Sequence, residues 1–162
     1  MNLIPARCLI LACGNTLRED DGVGPFLAAR AEQRFAELDS VRVICRQQWT
    51  PELAEDIAGA ESVVFIDCAA NAEPGSVQVT LVEPGGEAPG VATHHFGAAE
   101  LLSLTRELYC NLPRTSLLLS IGAGSLELRE GFSEAVQSAL PEAFRVLETT
   151  VCDLLNSPNY RK

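Results

Sequence analysis

Two short apolar runs stand out along the chain: CLILAC at Cys8 to Cys13, and Val63 to Ile66 inside Ser62 to Cys68. Runs of this length, bounded by Gly14-Asn15 and by Asp67, read as strands buried on both faces, the kind found in parallel sheets. Between them, Val23, Phe26, Leu27, Ala31, Phe35 and Leu38 recur at helical spacing, which predicts a helix over Gly22 to Leu38. Val41 to Cys45 reads as another strand. Thr50 as N-cap, Pro51 at the first helical position and Gly59 as terminator predict a short helix between them. Ser76 to Val82 alternates apolar and polar positions, the signature of a half-exposed strand. Its link to the preceding strand, through the Glu73-Pro74-Gly75 turn, is too short for a crossover helix, so the two strands should run antiparallel. Phe96 to Tyr109 predicts a third helix and Ser116 to Ile121 a fifth strand. A long final helix should start at Ser133 as N-cap, be interrupted at Pro141, and reach about Leu155. The resulting order, β-α-β-α-β-β-α-β-α, predicts an α/β fold: a three-layer α/β/α sandwich with a mixed, mostly parallel sheet of five strands, one of them antiparallel.

Composition narrows this picture. At 162 residues, 47% of them apolar, the chain can bury a full core as a single domain over residues 1–162. The net charge of −10, with the twelve Lys and Arg scattered, argues against nucleic acid and an anionic membrane surface as partners. A cation or a basic peptide suits it better. No run of 18 apolar residues predicts a membrane span, and Met1 to Arg7 lacks the pattern of a signal peptide. The six cysteines form no C-x-x-C pair, and four of them lie in apolar runs, which fits reduced thiols in a cytoplasmic protein.

In open α/β sheets the chemistry collects at the carboxyl ends of the strands. There the chain carries Gly14 to Gly24 after the first strand, Asp67 at the end of the third, and Thr93-His94-His95 before the third helix. A dinucleotide loop is disfavoured. Gly22-x-Gly24 is followed by Leu27 where a third glycine is needed, and Glu19, Asp20 and Asp21 would repel a pyrophosphate. Carboxylates and an imidazole converging on one sheet edge would suit a divalent ion such as Ni, Zn, Fe or Mn. Plainer roles also fit: Asp20 or Asp21 at the positive end of a helix, Asp67 as a hydrogen-bonded strand end, and His94 and His95 as loop residues.

The stretch Gly14-Asn15-Thr16-Leu17-Arg18-Glu19-Asp20-Asp21-Gly22-Val23-Gly24 resembles the G-N-x-L-x-x-D-[DE]-x-x-G signature of the hydrogenase maturation endopeptidases. Val63 to Cys68 resembles that family's apolar strand ending in Asp. Thr93 to Gly97 with Leu101-Leu102 resembles its histidine loop and helix. Ser125-Leu126-Glu127 with Gly131-Phe132-Ser133 resembles a later motif, so the likeness runs from about residue 8 to 150. Gln47-Gln48-Trp49-Thr50 departs from the Gly-Gly-Thr turn of many members. The resemblance implies an endopeptidase that removes the C-terminal extension of a [NiFe]-hydrogenase large-subunit precursor after nickel insertion. It also implies that Asp21, Asp67 and His94 recognise the nickel that the precursor supplies, with His95 the alternative ligand one residue on. A non-catalytic nickel-binding scaffold, and a peptidase of similar fold that cuts other substrates without nickel, are the rival readings. No G-x-S-x-G or H-E-x-x-H motif offers a self-sufficient catalytic centre.

Overall fold

The computed structural model describes residues 6–85 and 96–157. Five strands, β1 (Cys8–Cys13), β2 (Val41–Arg46), β3 (Ser62–Ala69), β4 (Val77–Leu81) and β5 (Thr115–Gly122), form one sheet in the order β2-β1-β3-β5-β4. β2, β1, β3 and β5 are parallel, and β4 lies antiparallel to β5. β4 thus runs against β3, as its short link requires, but its partner is β5. That strand returns after a helix to lie between β3 and β4 and leaves β4 at the edge.

The alternation of side chains along β1 and β3 builds two cores. Cys8, Ile10, Ala12, Val64 and Ile66 face α1 (Val23–Arg34) and α4 (Glu134–Asn156). Leu9, Leu11, Cys13, Val63 and Phe65 face α2 (Leu53–Ala58) and α3 (Ala98–Tyr109). Every residue of β1 is buried, which is why its sequence is an unbroken apolar run. Each large aliphatic or phenyl side chain so buried contributes about 1.5–3 kcal/mol. These helices on the two faces make the expected three layers.

Several element ends differ from the sequence reading. α1 stops at Arg34, because Leu38, the last member of the apolar stripe, is exposed and holds no further turn against the sheet. Thr50 does not cap α2: its carbonyl accepts from the Leu53 amide in a turn, and the helix starts at Leu53. Gly97 in extended conformation starts α3, leaving Phe96 outside it. Ser133 does cap α4, with its hydroxyl accepting from the Val136 amide. Pro141 does not interrupt that helix. Pro141 and Gln137, the residue whose carbonyl loses its amide partner, are both exposed, so water can take the freed acceptor. Among the described residues no helix is long and apolar enough to cross a membrane.

Candidate active site

The strand order reverses between β1, which leads outward to β2, and β3, which leads the other way to β5. The crevice at such a reversal is where open α/β sheets bind ligands. Asp21 follows β1 and Asp67 lies near the end of β3, so both acids belong to this one edge.

Asp21 ends a loop that is folded tightly on itself. Asn15 donates its amide to Asp21 Oδ2 at 2.7 Å, and Asn15 Oδ1 accepts from the Leu17 amide at 2.9 Å. Gly14, at φ +152°, lies so close that a Cβ there would sit 2.0 Å from the Asp21 carbonyl oxygen. A Cβ on Gly24 would sit 2.1 Å from the Cys13 carbonyl oxygen. These glycines let the loop and the start of α1 press onto the end of β1.

Asp67 sits beside Cys13 of the neighbouring strand. Its Oδ1 accepts from the Cys68 amide at 2.7 Å and from the Cys13 thiol at 3.5 Å. Burial pushes its carboxyl up to about 6; the Cys68 and Cys13 hydrogen bonds oppose this, and the charge of Asp21 adds to it. Asp67 Oδ2 and Asp21 Oδ1 accept no hydrogen bond among the described residues. Each carboxylate therefore has one oxygen held by the protein and one unengaged. Two such acids in each other's field form a donor pair suited to a divalent cation.

The thiols beside them are pushed toward their protonated form. Burial, then the charges of Asp21 and Asp67, push Cys68 up to about 12, and burial and Asp67 push Cys13 higher still. Both environments disfavour the thiolate, the form that acts as nucleophile. All six cysteines are free.

Asp20 does not act as a cap of α1. Fully buried, it gathers four hydrogen bonds from the loop before α4. Oδ1 accepts from the Ser133 amide at 2.7 Å, and Oδ2 from Gly124 N (2.7 Å), Ser125 N (2.9 Å) and Ser133 Oγ (2.7 Å). Burial alone would raise its carboxyl, but these bonds outweigh that and hold it below its ordinary value. Glu19, next to it, is buried in a left-handed conformation at φ 46° and pairs with Arg129 at 2.7 Å. Sequence reading missed both roles. The available signal was the run of three acids, Glu19 to Asp21, more than the single helix-end acid that capping needs. Trp49 is no part of an open turn: it is buried edge-on against Phe65, with ring centroids 5.3 Å apart.

His94 and His95 lie outside the described residues. Among the described residues no group of three or more His, Cys, Asp or Glu side chains forms a metal site.

No protein-family model matches the chain. The hydrogenase 2 maturation protease of Escherichia coli K12 is 26% identical over 144 residues, covering 85% of each chain. Among solved structures, the hydrogenase maturating endopeptidase HybD from E. coli superposes with a TM-score of 0.77 at 21% identity, covering 91% of this chain and 93% of that one. The [NiFe] hydrogenase maturation protease HycI from Thermococcus kodakarensis KOD1 gives 0.70 at 26% identity, over 93% and 94%. The chain is therefore similar in sequence and fold to these hydrogenase maturation endopeptidases. The chain shares its fold with HybD, and in this chain the reversal point of the sheet carries Asp21 and Asp67.

Proposed function

We propose that this chain removes the C-terminal extension of a [NiFe]-hydrogenase large-subunit precursor once nickel has been inserted. The observation that carries the reading is the acid pair at the β1/β3 reversal, each acid with one oxygen unengaged, in a chain similar to the maturation endopeptidases.

In this reading nickel is part of the substrate. Asp21 and Asp67 offer it oxygen donors, and His94 adds a neutral imidazole. The chain direction suits a donor from the segment that leads into α3. Arg114, just after α3, donates its amide to Glu61 beside the start of β3, so α3 ends at the amino edge of the sheet. Twelve helical residues span about 18 Å, which carries its first residue, Ala98, back toward the carboxyl edge. His94 precedes Ala98 by four residues. Free thiols and a chain without a membrane-spanning helix among the described residues agree with work in the reducing cytoplasm.

The test is processing of a purified large-subunit precursor by the full chain. Nickel-loaded precursor should lose its extension and nickel-free precursor should not. Binding of the loaded precursor without any cleavage would favour a scaffold instead; equal cleavage of both forms would remove nickel from the account.

A further inference from the structure

The backbone amide of Cys68 donates to Asp67 Oδ1 at 2.7 Å. One such bond leaves the carboxylate able to turn about its last side-chain torsion, which is broad for aspartate. The second bond, from the Cys13 thiol at 3.5 Å, comes from another strand and restricts that turn. The donor is itself held firmly. β1 and β3 run parallel in register up to Ala12 and Ile66, which puts Cys13 opposite Asp67. A Cβ on Gly24 would lie 2.1 Å from the Cys13 carbonyl oxygen, so the start of α1 rests directly on this residue. The next amide, of Gly14, donates to the Arg46 carbonyl of β2 at 3.1 Å. Cys13 thus serves both halves of the acid pair. Its backbone supports the helix that follows Asp21, and its side chain reaches Asp67.

Packing alone does not call for a thiol here. Cys13 is 9% exposed, in a cluster with Leu11, Trp49, Phe65 and Ala98, where a small aliphatic side chain would be at home. What a cysteine adds to such a site is a weak S–H donor, and the acceptor it meets is Oδ1 of the acid. We propose that Cys13 is a positioning residue: its thiol holds the plane of the Asp67 carboxylate, and so the direction in which Oδ2 is presented. The inference deepens the peptidase reading and rests on it for the effect on cleavage, but the hydrogen bond itself does not depend on that reading.

Three variants of the full chain test it: Cys13→Ala and Cys13→Val, which remove the donor, and Cys13→Ser, which keeps one. A buried apolar cluster favours an aliphatic group over a hydroxyl, so Cys13→Val and Cys13→Ala should melt at or above the temperature of Cys13→Ser. Single-turnover cleavage at saturating nickel-loaded precursor should rank them the other way. Cys13→Ser should stay near the parental rate, while Cys13→Ala and Cys13→Val fall by about five- to tenfold with precursor affinity unchanged. A purely structural role would make cleavage follow the melting temperatures instead. The infrared S–H stretching band of Cys13, isolated by subtracting the Cys13→Ala spectrum, gives a readout without cleavage. It should move to higher frequency when the same subtraction is made in an Asp67→Ala background, where the acceptor is gone. Cleavage by Cys13→Val at the parental rate, Cys13→Ser no faster than Cys13→Ala, or an S–H band indifferent to Asp67→Ala would each overturn the proposal. A parent chain that cannot cleave the loaded precursor, while its S–H band responds to Asp67→Ala, condemns the peptidase reading alone.

Discussion

Cys13 donates its thiol hydrogen to Asp67 across the β1–β3 pair, 3.5 Å from Sγ to Oδ1, one residue beyond the point where Ala12 and Ile66 face each other in register. The bond and the adjoining Cys68 amide fix one oxygen of Asp67 and leave the other free.

That geometry has a consequence for pH. Asp67 is raised from its ordinary 3.8 to about 6, chiefly by burial, so the native state holds this proton more tightly than the unfolded chain. Its contribution to stability is fully present below about pH 4 and is lost as pH rises through about 6, a cost on the order of 2–3 kcal/mol above that. Asp67→Asn retains the Oδ1 acceptor and removes the charge. In metal-free buffer it should melt several degrees higher than the parent at pH 7.5, with the difference shrinking toward pH 4. A variant less stable at both pH values would show Asp67 to be a structural acid.

Asp20 should behave in the opposite way. Both its oxygens accept backbone amides, so an Asn amide in either orientation must face an N–H donor. Asp20→Asn and Asp20→Ala should each destabilise the fold by about 3 kcal/mol or more, since several buried donors lose their acceptor. Urea unfolding measures this. A midpoint within error of the parent would contradict the role of Asp20 as the clamp between the two loops.

Pro141 offers a simpler test. Proline deep inside a helix costs up to ~3 kcal/mol, yet α4 runs through it unbroken on its exposed side. Pro141→Ala restores the amide for the Gln137 carbonyl and should raise the melting temperature. A lower melting temperature would mean that Pro141 sets a bend on which the packing of α4 depends.

These contrasts show where sequence reading reached its limit. β1 and β3 were legible because burial on both faces leaves an unbroken apolar run, and the direction of β4 followed from its short link. The insertion of β5 between β3 and β4 was not legible, since strand order depends on where α3 returns the chain. Asp21 and Asp67 were legible as acids at strand ends. Asp20 was not, because its partners lie over 100 residues away and charge alone cannot distinguish a buried clamp from a helix cap. The positive φ of Glu19 leaves no mark on the sequence at all.

The two adjacent histidines are separable by substitution. His94→Ala should abolish processing of the nickel-loaded precursor while His95→Ala is tolerated; the reverse result transfers the imidazole ligand to His95. Tolerance of both would leave the two carboxylates as the whole recognition set.

The central claim is that Asp21 and Asp67 meet the nickel of the precursor. Its most direct measurement is single-turnover cleavage of nickel-loaded precursor by Asp67→Asn and Asp21→Asn, followed by mass spectrometry of the released extension, with melting temperatures recorded alongside. The account predicts that Asp67→Asn is at least as stable as the parent and loses cleavage by 100-fold or more (~3 kcal/mol in barrier), with Asp21→Asn equally inactive. Cleavage at the parental rate by both variants would contradict it.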